Sequence, residues 1–285
     1  MTDNGLDPAL IDRLVGALDE DRAREDITTA ALVPAEQRGR AIIIAKAEGF
    51  LAGIALAETA FAAIDPSLVW QAARRDGDHL SPGDCIAGIE GALASILRAE
   101  RVALNFLSHL SGVATAANAV VQALEGTNCR LRDTRKTTPG LRTVEKYAVR
   151  VGGGTNHRLD LADGVLIKDN HIAALRARGL GIADAVRLAR EANAGMRIEI
   201  EVTNLDEARE ALASRADELL LDNMSLEAMR EVVALAKGEA VLEASGGITL
   251  ENARAVAETG VDYISMGAIT HSATAVDMSL EVVVG

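Results

Sequence analysis

From residue 128 onward, short aliphatic runs alternate with amphipathic stretches, and this alternation constrains the fold more than any other feature of the chain. The strand candidates are residues 128–133, 163–168, 197–203, 217–222, 239–245 and 261–267. Helical segments of roughly a dozen residues separate the last four, the pattern of βα units that build a parallel sheet with covering helices. The regularity of the run favours a sheet curling toward a barrel over an open doubly wound one. A complete barrel has about eight strands and six are visible, so the expected class is α/β with an incomplete parallel α/β barrel.

The part before residue 128 reads as mixed α and β. Leu10, Ile11, Leu14, Val15 and Leu18 have helical spacing within residues 8–22. Residues 39–45 (GRAIIIA) have the length and β-branching of a strand, and residues 80–89 hold a Ser-Pro-Gly-Asp turn followed by a short apolar run. Residues 90–122 form a long Ala/Leu-rich helical stretch, expected to break or kink around Ser111-Gly112. Aromatics make up only 2% of the chain, so the core must be built from Ala, Val, Leu and Ile.

Several classes are disfavoured. The formal net charge of −13 repels nucleic acid and anionic membranes. The start MTDNGLDPAL lacks the basic-then-apolar order of a signal peptide, and the most apolar stretch, residues 41–64, is interrupted by Lys46, Glu48 and Glu58. Cys85 and Cys129 have no close-spaced cysteine or metal-ligand pattern and fit a reducing cytoplasm.

In a βα barrel the chemistry sits at the C-terminal ends of the strands. Those ends are Asp133-Thr134-Arg135-Lys136, Lys168-Asp169-Asn170, Glu201-Val202-Thr203, Asp222-Asn223, Ser245-Gly246-Gly247 and Gly267-Ala268. Solvation explains one polar strand end, but these six sort by charge along the chain: cations, then carboxylates, then glycines. The glycine ends point to phosphate, because glycine admits close approach of backbone N–H groups and helix N-termini favour anions; tight βα turns alone are the plainer explanation. Glu199 and Glu201 lie two apart and point to one face, inward in a barrel. There they need a metal, a cation or hydroxyl groups, or they form an internal salt-bridge layer with Lys168 or Arg158. Between Arg130 and Arg158 stand eight Lys/Arg against Asp133 and Glu145, a local balance of +6 in an acidic chain. Such a zone suits a polyanion, with His157 and His171 as further donors. At least two of Arg142, Lys146 and Arg150 are expected on a solvated helix face.

The block DTRKTTPGLRTVEKYAVRVGGGTNHRLDLADGVLIKDNHI, residues 133–172, is similar throughout to the quinolinate phosphoribosyltransferase family. IEIEVTN (198–204), LLLDNMS (219–225), LEASGGIT (242–249) and ISMGAITHS (264–272) match in the same order, ERVALNFLSHLSGVAT (100–115) resembles the helix preceding that family's barrel, and EDITT (25–29) resembles its N-terminal region. The resemblance implies an N-terminal α/β sandwich over residues 1–115, completed by 272–285, and an incomplete α/β barrel over 116–271. It implies phosphoribosyl transfer from phosphoribosyl diphosphate to quinolinate with decarboxylation, giving nicotinate mononucleotide, CO2 and diphosphate in the cytoplasm.

By motif, Thr134, Arg135, Lys136, His157, Arg158 and Lys168 would surround the pyridine dicarboxylate. Glu201 and Asp222 would face the phosphoribosyl diphosphate and its Mg2+. Ser245, Gly246, Gly247, Gly267, Ala268 and Ile269 would hold the phosphate end. Lys136, Lys168, Glu201 and Asp222 are the catalytic candidates, and no tightly bound metal is expected. Arg101 would reach a neighbouring subunit's site in a homodimer or higher homo-oligomer. The rivals are a molybdenum-transport-associated paralogue of the same fold, a Schiff-base aldolase using Lys168 and a non-catalytic sensor of a phosphoribosyl ligand.

Overall fold

The computed structural model describes residues 8–283. Residues 1–7, part of the start read for a leader pattern, and residues 284–285 of the expected C-terminal tail lie outside the described residues. The chain divides into two compact units. One comprises the chain through Asn118, Thr138–Gly153 and the part from Ser272 onward; the other comprises Ala119–Thr137 and Gly154–His271.

The first unit begins with helices α1 (Pro8–Glu20) and α2 (Ile27–Leu32), strands β1 (Arg38–Ala45) and β2 (Gly49–Phe50), and helix α3 (Ile54–Ile64). Strands β3 (Val69–Ala72), β4 (His79–Leu80) and β5 (Cys85–Ala92) follow, then the start of helix α4 (Leu93–Ala123) and helix α5 (Arg142–Val151). Strand β1 alternates, with Ala41, Ile43 and Ala45 buried. These residues share a core with Leu14 and Leu18 of α1, Phe61 of α3, Ile86 and Ile89 of β5, and Ile96, Ala99, Ala103 and Leu107 of α4.

Helix α4 runs unbroken through Ser111-Gly112, where a break or kink was expected. Both residues serve contacts instead. A Cβ on Gly112 would overlap the carbonyl oxygen of Thr274, and Ser111 Oγ accepts the Ala52 N–H at 3.0 Å. On α5, Arg150 is exposed and Arg142 half-buried, whereas Lys146 is buried.

The second unit holds strands β6 (Arg130–Arg132), β7 (Val165–Ile167), β8 (Ile198–Val202), β9 (Glu218–Asp222), β10 (Val241–Ser245) and β11 (Tyr263–Ser265). Helices α6 (Asp169–Arg176), α7 (Ile182–Ala192), α8 (Leu205–Ala213), α9 (Leu226–Ala236), α10 (Leu250–Ala257) and α11 (Ala268–His271) alternate with them. All six strands fall inside the segments expected from the sequence. They form one parallel sheet in the order β6-β11-β10-β9-β8-β7. The sheet curls: Arg132 on edge strand β6 reaches Glu218 on β9 at 2.9 Å, three strands along, a span of about 14 Å in a flat sheet. This is the incomplete α/β barrel. One face of each strand is apolar and buried, as with Ile198, Ile200 and Val202, Leu219 and Leu221, and Leu242 and Ala244. The alternate positions, Glu199 and Glu201, Glu218 and Asp222, and Glu243 and Ser245, point inward.

The last strand, β12 (Met278–Val283), belongs to the first unit. It pairs antiparallel with β1, from Arg40 opposite Val283 to Ala45 opposite Met278, and completes a four-stranded sheet in the order β12-β1-β5-β3. No helix among the described residues is long and apolar enough to cross a membrane.

Candidate active site

The strand ends of the second unit enclose a cavity of about 640 Å³. Asp133, Thr134, Arg135 and Lys136 line it after β6, Lys168 after β7, Glu201 from β8, and Asp222 and Asn223 at the end of β9. Ser245, Gly246 and Gly247 follow β10, and His157 and Arg158 come from the loop between α5 and β7. Eleven of the candidates from the sequence thus meet in one space. Gly267, Ala268 and Ile269 do not line it; the last strand contributes Ser265. Gly267 instead makes room for Lys136, since a Cβ there would come 2.8 Å from Lys136 Cδ, and Thr270 Oγ1 donates to the Lys136 carbonyl at 2.8 Å. Arg101 lies on α4 in the first unit, mostly exposed and 3.6 Å from Glu100.

Local chemistry explains the shape of the rim. Asp133 is fully buried and accepts the His157 N–H at 2.9 Å and a hydrogen bond from Asn156. It thereby fastens the loop carrying His157 and Arg158 to the end of β6. Lys136 N–H donates to Thr134 Oγ1 at 3.0 Å, a turn that splays Arg135 and Lys136 apart. Gly246 and Gly247 both adopt positive φ, +83° and +61°, and a Cβ on Gly246 would collide with the Asn223 side chain. The Ser-Gly-Gly end therefore presents backbone, not side chains, to the cavity.

Two guanidinium groups of the cationic wall, Arg135 and Arg158, come together at the mouth. Arg158 Nη1 donates to the Gly164 carbonyl at 3.0 Å, and Arg135 Nε is buried without a hydrogen-bond partner. Burial and then the neighbouring Arg135 charge hold the Arg158 guanidinium below its usual range. Two like charges in a half-buried wall call for an anion between them. Across the cavity Lys168 Nζ lies 3.3 Å from Glu201 Oε2, one of the internal salt bridges weighed from the sequence. His171 is turned to structure, its Nδ1 accepting the Lys168 N–H at 2.8 Å.

Beneath the mouth lies a charged floor that reading the strand ends alone missed. Arg132 donates to Glu218 at 2.9 Å and to Glu243 at 2.7 Å, with its guanidinium 3.5 Å from the Tyr263 ring centroid. His157 Nε2 lies 2.7 Å from Glu199 Oε2, and His157 Nδ1 accepts the Arg158 N–H at 2.8 Å. Burial alone would lower the His157 pKa, but the Glu199 hydrogen bond and charge outweigh it and raise it. His157 and Arg158 also line a second cavity of about 220 Å³, with Arg132, Glu199 and Glu218 in its walls. The signal for this floor was present in the period-2 placement of Glu199, Glu218 and Glu243 on three consecutive strands.

Residues 113–281 match the family described as quinolinate phosphoribosyl transferase, C-terminal domain, and residues 26–111 match its N-terminal domain. The chain is 43% identical over 264 residues to a probable nicotinate-nucleotide pyrophosphorylase [carboxylating] of Bacillus subtilis, covering 92% of this chain and 90% of that one. It is 40% identical over 280 residues to the nicotinate-nucleotide pyrophosphorylase [carboxylating] of Mycobacterium leprae, covering 95% and 96%. The solved structure of the nicotinate-nucleotide pyrophosphorylase from Francisella tularensis superposes with a TM-score of 0.91 at 39% identity, covering 98% of each chain.

Proposed function

The chain belongs to the quinolinate phosphoribosyltransferase family, and on that premise we propose that its barrel mouth joins quinolinate to the phosphoribosyl group of phosphoribosyl diphosphate, releasing diphosphate and CO2 and leaving nicotinate mononucleotide. The observation that carries this reading is the cationic wall: Arg158 with its pKa lowered by burial and by Arg135, and Arg135 with a buried, unpartnered Nε. A dicarboxylate supplies the missing charge. Arg135, Lys136, Arg158 and Lys168 take the two carboxylates of quinolinate, with Thr134 at the rim and His157 behind Arg158. The ribosyl phosphate rests on the Ser245-Gly246-Gly247 backbone, with Gly267, Ala268 and Ile269 shaping the turn behind it.

The division of charge across the cavity suits the reaction. As diphosphate leaves C1 of the ribose, positive charge develops on the sugar, and Glu201 and Asp222 stabilise it from the opposite side to the cationic wall. Carboxylate oxygens are also the donors a hard divalent cation prefers. Asp222 has Asn223 Nδ2 at 2.9 Å and lines the cavity, so the pair fits a Mg2+ carried in with the diphosphate; that ion supplies charge neutralisation to the leaving group. The pyridine nitrogen forms the bond to C1. In the resulting pyridinium, the C2–carboxylate bond breaks, its electron pair stays on C2, CO2 departs and C2 takes a proton. The side chains here position and stabilise, and none has to act as a nucleophile.

The reading includes a cytoplasmic location and a homodimer or higher homo-oligomer in which Arg101 enters a neighbour's mouth. Its exposure on α4 supports this. Arg101→Ala and Lys168→Ala should each be nearly inactive, and an even, freely exchanging mixture should recover about one quarter of wild-type activity from the one intact site of each heterodimer. No recovery despite demonstrated exchange would mean that Arg101 acts within its own chain or has no part in catalysis. The assignment as a whole is tested by incubating purified protein with quinolinate, phosphoribosyl diphosphate and Mg2+. Nicotinate mononucleotide and CO2 should form in equal amounts, and excess EDTA should abolish both. Absence of product, or full activity in EDTA, overturns the corresponding part. Dialysed protein should carry no stoichiometric metal.

A further inference from the structure

The floor of the cavity contains a charge problem that its hydrogen bonds do not solve. Glu199, Glu218 and Glu243 are all buried. Against them stand Arg132, with 12% of its side chain exposed, and the His157 ring; Arg197 also pairs with Glu218, but 75% of its side chain lies in solvent. Glu243 Oε2 is taken by Arg132 and Glu199 Oε2 by His157. The remaining oxygens, Glu199 Oε1 and Glu243 Oε1, are both buried and both lack a hydrogen-bond partner. Donor atoms of His157, Glu199 and Glu243 lie within 4.8 Å of one another. Two ionised carboxylates at such a distance in a buried site repel strongly, and each orphaned oxygen adds a desolvation cost.

We propose that Glu243 keeps a proton and shares it with Glu199, Glu243 Oε1–H donating to Glu199 Oε1, so that Glu243 acts as a neutral positioning residue beneath the substrate site. One proton removes one negative charge and gives both orphaned oxygens a partner. A divalent cation at the same point fits less well, because the Arg132 guanidinium already bonds Glu243 Oε2. The other groups facing Glu243 agree with a neutral acid there. Tyr263 is its register neighbour on β11, and burial, with Asp262 second, pushes the Cys129 thiol up to about 12, so it brings no charge. Burial, and next the Glu199 charge, move Glu243 itself above the ordinary carboxylate range.

The proton matters to the site through a short chain of contacts. Glu199, relieved of repulsion from Glu243, holds His157 Nε2, and His157 Nδ1 holds the backbone N–H of Arg158. His157 thus spends both ring nitrogens on contacts within the chain and acts on the substrate through Arg158. This consequence for binding rests on the assignment of Arg158 to quinolinate made above, whereas the shared proton does not.

Glutamine imitates a protonated carboxyl group, so Glu243→Gln is the informative variant. Infrared difference spectra of wild type against Glu243→Gln at pH 7 should show the C=O stretch of a protonated carboxylic acid, shifted in D2O and present only in the wild type. The KM for quinolinate should rise with alkaline pH in the wild type as Glu243 ionises, and this rise should be absent in Glu243→Gln. Glu199→Gln, which turns one of its two acceptor oxygens into an NH2 donor and removes the charge, should raise that KM about tenfold or more at pH 7 with the fold intact by circular dichroism. A difference spectrum containing only carboxylate bands overturns the shared proton. So does stoichiometric metal in the wild type that Glu243→Gln loses. If the acid band is present but quinolinate is not a substrate, the shared proton stands and the assignment of the mouth fails.

Discussion

Among the described residues, two histidines pair with a buried glutamate, one in each unit, and the pairs are finished differently. In the first unit Glu145 is fully buried; Oε1 lies 2.9 Å from His109 Nε2 and Oε2 accepts the Thr138 N–H at 3.0 Å. Both oxygens are satisfied. In the barrel unit Glu199 binds His157 through one oxygen and leaves the other buried without a partner. The closed pair fixes a helix to a turn. The open pair sits under a cavity whose guanidinium wall is also incompletely partnered. Native structures satisfy nearly all buried polar groups, so orphans concentrated in one place mark where a ligand or a proton completes the structure.

Deleting an incompletely partnered group and deleting a completed one should therefore have opposite signatures. The largest effect is expected at the mouth. Arg135→Ala should weaken quinolinate binding by about 2–5 kcal/mol, because a carboxylate in a half-buried site loses its bidentate partner. Thermal stability should hold or rise slightly, since Arg158 loses a like-charged neighbour. Titration calorimetry paired with a melting curve checks both, and quinolinate affinity within twofold of wild type would remove Arg135 from the site. The next effect belongs to the closed pair. Glu145→Ala strands the His109 ring and the Thr138 N–H and should destabilise the protein by about 2–3 kcal/mol, read from denaturant unfolding. An unchanged unfolding midpoint would show that this pair contributes nothing to the fold.

The same contrast explains what could be read from the sequence. The parallel strands were legible because short aliphatic runs recur between amphipathic helical segments and are followed by polar, charged or glycine residues, and the cavity lining follows from those ends. The break expected at Ser111-Gly112 did not appear, because local propensity cannot announce that Thr274, 162 positions later, will pack against Gly112. Of Arg142, Lys146 and Arg150, at least two of which were expected on a solvated face, Arg150 is exposed, Arg142 half-buried and Lys146 buried, a distribution set by tertiary packing. The floor was hidden for another reason. Glu243 and Glu218 lie two and four residues before the ends of their strands, and a single sequence does not say that a curled sheet will bring Arg132 of edge strand β6 against β9.

The smallest effect is a pH dependence that should run in opposite directions in the two units. Glu145 is held below the ordinary carboxylate value of 4.5: burial pushes it up, but hydrogen bonds from His109 and Thr138 outweigh that. Its contribution is present above 4.5 and is lost as pH falls through the lowered folded value. In the barrel the signs reverse. Glu243 is raised above 4.5, chiefly by burial and then by Glu199. It favours its protonated form in the folded state, so its contribution is complete below 4.5 and declines as pH rises through the folded value. Hydrogen exchange read on peptides from α5 and from β10 separates the units. Protection in α5 should fall on acidification below pH 4.5, while protection in β10 should fall as the pH is raised into the alkaline range. Glu243→Gln, which cannot ionise, should flatten only the second trend. If β10 protection rises with pH instead, Glu243 is ionised in the folded protein and the floor is held by charge pairing with Arg132 alone.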